Sequence, residues 1–148
     1  MRGRIAYWTG VAHEGSGDTQ KAAESWHRAV TPPEPAPRRR ANQPGNAAAG
    51  GSAQTYYQGL AFQKLGQMDR AKTLFQELLE SARNELKQPA PLAGRETSQR
   101  VRTANAHYLA GLGYLGLKDR AQAKTELSQA VQMSPDLLGA RTALASLP

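Results

Sequence analysis

Three histidines, twelve carboxylates and no cysteine define what chemistry this 148-residue chain could perform. Without cysteine there can be no thiolate zinc site, no disulfide staple and no cysteine nucleophile. His13 and His27 stand too far apart to share a helical turn, and His107 lies in a distant part of the chain. No paired carboxylate joins them to complete a metal set. Glu77, Glu80 and Glu85 fall on one predicted helix with Lys72, Arg83 and Lys87, the pattern of a solvated face with weak charge pairs. Catalytic carboxylates need surroundings that push their pKa values apart, and this mixed-charge stretch implies none. Gly15-Ser16-Gly17 reads as a turn between helices and not as a phosphate loop. Gly111-Leu112-Gly113 falls within a helix, and the serines have no nucleophile-elbow context. The expectation is a chain that is not an enzyme, with no catalytic residue, cofactor or metal.

The formal charge of +7 raises the question of a polyanionic partner. Arg38-Arg39-Arg40 lies in a proline-rich stretch with no aromatic neighbour, Arg95, Arg100 and Arg102 surround a predicted loop and helix start, and the helices between carry mixed signs. A nucleic-acid site would pair basic residues with stacking platforms or a groove-reading helix, so binding through this basic linker is a lesser alternative. No run approaches the length of a membrane span. Ile5 to Val11 is broken by Thr9 and Gly10 and makes a poor signal-peptide core. The default location is therefore the cytoplasm. Met1 runs almost directly into the first helix, as expected of a piece of something longer.

Abundant alanine and few β-branched or aromatic residues favour helices over strands, and the helices repeat. Tyr7 to Ala12, Tyr56 to Phe62 and Tyr108 to Tyr114 each carry a glycine, Gly10, Gly59 or Gly111. Twelve residues beyond each lies Ala22, Ala71 or Ala123. Four further on comes Trp26, Phe75 or Leu127, and three beyond that Ala29, Leu78 or Ala130. Residues three and four apart share a helix face, so every second helix presents a small, a large and then a small-to-medium side chain. Glycine in a helix costs roughly 1 kcal/mol relative to alanine. Its recurrence at one register points to close helix approach.

These three copies resemble the tetratricopeptide repeat, a helix–turn–helix unit that stacks into a solenoid. Pro135 falls at that family's closing proline, while Thr9 and Gln58 replace a usual leucine and the copies stand 49 and 52 residues apart. The fold expected is all-α: a single domain forming a TPR-like solenoid of three helix pairs plus a C-terminal capping helix, with two inter-repeat insertions. Repeat 1 spans about 4–30 and repeat 2 about 53–87, separated by a disordered linker over 31–52. A loop over 88–97 leads to repeat 3 at about 98–134, with Thr97 or Ser98 as cap. The capping helix covers 135–146, with Ser134 as N-cap and Pro135 in its first turn. The segments 56–61 and 107–117 are most similar to the C-terminal repeat region of large bacterial proteins that carry an uncharacterised domain ahead of it.

The resemblance implies that the first helix of each pair lines a concave groove. Transferred position by position, its candidates are Tyr7, Trp8, Val11 and Glu14, then Tyr56, Tyr57, Leu60, Gln63 and Lys64, then Tyr108, Leu109, Leu112 and Leu115. A clamp for a terminal carboxylate is not implied, since tyrosine, leucine and valine stand at most of its sites, with Asn105 the polar exception. The tyrosines either pack between neighbouring helices or against a further domain, or they face a hydrophobic peptide or helix. The implied role is a non-catalytic protein–protein interaction module or interdomain scaffold. The partner would be a peptide, a helix or a neighbouring domain. The alternative is a support segment of a larger carbohydrate-active or other multidomain enzyme.

Overall fold

The computed structural model describes residues 2–31, 53–87 and 96–147. These residues form α1 (Arg2–Gly15), α2 (Thr19–Val30), α3 (Ala53–Lys64), α4 (Met68–Leu86), α5 (Glu96–Gly116), α6 (Arg120–Met133) and α7 (Leu138–Ala145), with no strand among them. The chain is all-α: three antiparallel helix pairs stacked in sequence and a final short helix. Apart from Thr31 and the first turn of α5, the insertions expected at 31–52 and 88–97 lie outside the described residues, as does Arg38-Arg39-Arg40.

One backbone device closes all three hairpins. The N–H groups of Gly17 and Asp18 donate to the carbonyls of Glu14 and His13. Gly66 and Gln67 do the same to Gln63 and Phe62, and Lys118 and Asp119 to Leu115 and Tyr114. This paired pattern satisfies the last carbonyls of each first helix and demands a left-handed residue after it. Gly17 (φ 83°), Gly66 (φ 77°) and Lys118 (φ 65°) fill that place. The next residue then caps the second helix. Asp18 and Asp119 accept from the backbone N–H of Lys21 and Gln122, whereas Gln67 makes no side-chain cap. The hydrogen bonds from Lys21 also hold the Asp18 carboxyl below its ordinary pKa.

Inside each hairpin the recurrent glycine lies directly under the bulky residue of the second helix. A Cβ on Gly10 would collide with the Trp26 ring, one on Gly59 with Phe75, and one on Gly111 would come within 2.6 Å of Leu127. Ala22, Ala71 and Ala123 are buried close by. Burying side chains as large as Phe75 and Leu127 stabilises the fold by roughly 1.5–3 kcal/mol each, and the glycines admit them at that depth.

Two helix starts differ from the sequence reading. The terminal helix begins at Leu138, not at Pro135, and its cap residue Leu137 makes no side-chain cap. Ser134 instead follows the end of α6, its N–H bonded to Ala130, and its carbonyl accepts from Leu137 N–H to close a turn. Pro135 sits at the corner of that turn, where its fixed φ suits the first central position. In α5 the helix already includes Glu96, so Thr97 and Ser98 lie within it and not at the position before its start.

Candidate functional site

The first helices of the hairpins lie side by side, and α7 folds across the end of their row. Together they enclose a concavity of about 570 Å³. Tyr7 and Trp8 enter from α1, and Tyr56, Tyr57 and Leu60 from α3. Tyr108, Leu112 and Leu115 come from α5, and Leu138, Gly139, Thr142, Ala143 and Ser146 from α7, with Arg4 at the α1 end. The rings form a connected network. Tyr57 lies 5.8 Å from Tyr7, 6.4 Å from Trp8 and 5.4 Å from Tyr56 between centroids. Tyr56 continues it to Phe75 of the core at 6.0 Å. Such offset and edge-to-face pairs each add about 0.5–1.5 kcal/mol beyond their burial, so the wall is a braced surface.

Helical register explains the convergence. Tyr7, Tyr56 and Tyr108 stand three residues before the recurrent glycine of their own helix, on the side turned toward the concavity. Leu60 and Leu112 follow the glycine and complete that face. Among the lining residues Arg4 alone carries a full charge, and its guanidinium lies 5.8 Å from the Tyr57 ring centroid. Burial raises the Tyr56 hydroxyl to a pKa of about 12, with smaller contributions from Tyr7, Tyr57 and Tyr108. Burial likewise raises those of Tyr7 and Tyr108. All three therefore stay neutral hydrogen-bonding groups at physiological pH.

The other candidates sit elsewhere. Gln63 donates its amide to the Gly116 carbonyl at 3.2 Å, tying α3 to α5. Lys64 pairs with Glu14 and lies 5.4 Å from the Trp26 ring centroid, tying α3 to α1 and α2. Val11 is partly buried on α1, and Leu109 joins Leu78, Leu79 and Ala82 in the core between α4 and α5. The residues of α7 and Arg4 lay outside the sequence-based set. Gly139, Ala143 and Ser146 occur at spacings of four and three, a small-residue face that allows close approach. A Cβ on Gly139 would lie 2.7 Å from the Tyr108 hydroxyl.

Of the three carboxylates singled out in the sequence, two lie on a solvated face and one reaches another helix. Glu85 pairs with Arg102 across to α5 and is not confined to the face of its own helix, while Glu77 and Glu80 are exposed on α4. His107 Nδ1 lies 2.6 Å from Glu126 within the third hairpin. No three His, Asp or Glu side chains gather at one point among the described residues. No helix there is long and apolar enough to cross a membrane. The concavity can therefore offer ring faces, aliphatic walls, neutral hydroxyls and one cation. That set suits an apolar or aromatic segment with acceptor groups. A smaller concavity of about 330 Å³ draws on Phe62, Asp69, Arg70, Thr73 and Leu74 of one hairpin alone.

Two family models, each described as a tetratricopeptide repeat, match residues 53–84 and 104–137. The first span covers α3 and most of α4, and the second runs from within α5 through α6 to Leu137. No curated protein matches the chain.

Proposed function

Since the chain belongs to the tetratricopeptide-repeat family, whose all-helical hairpins generally mediate protein–protein contacts, we propose that it is a non-catalytic binding module or interdomain scaffold. Its concave face receives an apolar or aromatic helix or extended peptide from a partner protein or neighbouring domain. The supporting observation is the convergence of Tyr7, Tyr56 and Tyr108 from three different hairpins on one concavity. Tyrosine gives large contact area at low entropic cost and keeps a hydroxyl for specificity. The lone cation, Arg4, lies at the α1 end and favours a ligand with an acidic residue there.

Part of that wall is structural, because Tyr56 packs on the core beside Phe75 and Tyr108 packs against Gly139. Alanine at either tyrosine would confound binding with folding. Leu60, partly buried in the concavity, gives the cleaner test. Leu60→Arg should retain the wild-type helical circular dichroism and melting temperature within a few degrees. It should also lose, in parallel pull-downs, the partner that the unmodified chain retains. Retention of that same partner by a folded Leu60→Arg chain would refute a concave binding face.

A further inference from the structure

The outer edge of α1 carries a second surface, separate from the concave wall except at Trp8. Ile5, Trp8, Ala12 and Gly15 lie along one side of α1 at helical spacing. Their counterparts are Gln54, Tyr57, Ala61 and Lys64 in α3, and Ala106, Leu109, Gly113 and Gly116 in α5. In α5 all four counterparts are buried, and the cover of three is identified. A Cβ on Gly116 would collide with the Phe75 ring, and one on Gly113 would come within 2.7 Å of Leu79. Leu109 packs in the same cluster as Ala82. In α3, Ala61 is fully buried with Trp26 and Ala29, and Lys64 lies over the Trp26 ring. In both cases the cover is the second helix of the preceding hairpin.

On α1 the same register is open. Ile5 is 65% and Trp8 53% exposed, Ala12 and Gly15 are exposed, and a Cβ on Gly15 would meet nothing within 4 Å among the described residues. We infer that this edge docks the second helix of a further hairpin of the same kind, one that residues 1–148 do not contain. Its chemistry follows from the register: an aromatic residue seated on Gly15, a leucine four residues later on Ala12, and a small residue three beyond that beside Trp8. Phe75, Leu79 and Ala82 of α4 show this order where it meets α5. The occupant is not a second copy of the chain. In such a copy α2 is already packed on α3, α4 on α5 and α6 on α7, so none of its second helices has that face free.

The α4 sequence supplies the probe. A synthetic peptide of residues 68–87 should bind the full chain and shift the emission of Trp8, exposed where Trp26 is buried, to shorter wavelength. The Trp8→Phe chain should lose that shift. Gly15→Leu has open space for its side chain and should leave the melting temperature unchanged. It fills the seat of the aromatic residue, however, and should weaken peptide binding at least about tenfold. A peptide carrying Phe75→Ala and Leu79→Ala should weaken it similarly. Leu60→Arg should leave it unchanged, which separates this edge from the concave face. The inference is overturned if the peptide produces no shift up to millimolar concentration, or binds Gly15→Leu as tightly as the unmodified chain. Sedimentation of the chain alone as a dimer that Gly15→Leu dissolves would also overturn it, by making a second copy the occupant.

Discussion

The two joints between successive hairpins occupy equivalent places and are built differently. At the second, where α4 meets α5, Phe75 lies between Gly59 of its own hairpin and Gly116 of the next, and Leu79 rests on Gly113. Gln63 adds a hydrogen bond to the Gly116 carbonyl, and Glu85 pairs with Arg102. At the first joint Trp26 takes the place of Phe75, and Lys64 stands where the second joint has Gly116. The ring is then covered by an ammonium 5.4 Å from its centroid, held in turn by Glu14. The indole N–H of Trp26 is buried with no hydrogen-bond partner among the described residues. Ala61 stands where the second joint has Gly113. Two small residues thus let α5 close on α4, whereas a long cation holds the first joint by charge and its aliphatic stem. A repeat architecture conserves the position of a contact while allowing its chemistry to change.

The largest effect should come from filling the tighter joint. In Gly116→Ala the new methyl would collide with the Phe75 ring, and Gly59 on the other side leaves the ring nowhere to retreat. Overpacking of this kind costs typically 1–3 kcal/mol. The helix-propensity gain of about 1 kcal/mol for replacing glycine is reduced at Gly116, the last residue of α5. A net loss of about 2 kcal/mol is expected in urea unfolding. Lys64→Ala at the equivalent place should cost less than about 1 kcal/mol, because an exposed ion pair and a cation–π contact are each worth no more than about that. The loss should shrink further in high salt. Equal costs at both sites would show that the joints differ in appearance only.

Alkaline pH tests the tighter joint from its concave side, where Tyr56 packs against Phe75. Its hydroxyl has an ordinary pKa of 10 in the unfolded chain and about 12 in the fold, raised chiefly by burial. Above pH 10 the unfolded state releases the proton first and therefore binds fewer protons than the native state. Stability is thus fully present below pH 10 and falls as pH rises toward 12, by roughly 1–2 kcal/mol for this group. Tyr56→Phe has no hydroxyl to ionise. Urea midpoints of the two chains should converge between pH 10 and 12 if the variant begins less stable, and diverge in its favour if it begins equal. A constant difference across that range would mean Tyr56 ionises as freely in the fold as in the unfolded chain.

Hairpin architecture was legible in the sequence because it depends on short spacings. The glycine, the small residue twelve later and the bulky residue four beyond lie within one hairpin, so local helical geometry suffices to relate them. The convergence of Tyr7, Tyr56, Leu60, Tyr108, Leu112 and Leu115 on one concavity follows from the same register repeated. Gln63 and Lys64 show where such transfer ends. Each stands on a first helix near the groove, yet Gln63 turns to the Gly116 carbonyl and Lys64 to Glu14 and Trp26. Only the neighbouring hairpin determines those partners. The course of α7 across the concavity was hidden for a related reason. A short helix with small residues at Gly139, Ala143 and Ser146 can face several ways, and it takes its direction from Tyr108, far away in sequence.

The three turns extend the comparison to smaller energies, since they share one backbone path and differ in side chains. Lys118 holds φ 65° where the other turns have glycine. A left-handed conformation costs a side-chain-bearing residue roughly 1–2 kcal/mol, and glycine returns part of that through its greater freedom in the unfolded chain. Lys118→Gly should therefore stabilise the third hairpin by about 1 kcal/mol, read as a raised urea midpoint with unchanged slope. No change would mean that Lys118 makes a compensating contact.

The smallest expected effect belongs to the second turn. Gln67 has φ −92° and ψ 66°, close to the −89° and 78° of Asp18 and the −86° and 81° of Asp119. The backbone is thus already placed for a capping aspartate, and only the side chain is too long. In Gln67→Asp the carboxylate should accept from the Arg70 backbone N–H, as Asp18 does from Lys21 and Asp119 from Gln122. A carboxylate there also meets the positive end of the α4 dipole. Caps of this type are worth typically about 1 kcal/mol over alanine, and because Gln67 is exchanged for aspartate within an existing turn, about 0.5 kcal/mol is expected. Combined with Lys118→Gly, the gain should be additive, because the two turns belong to different hairpins with no shared partner. A combined gain well short of the sum would show that the hairpins couple through the second joint more strongly than their separate turns suggest.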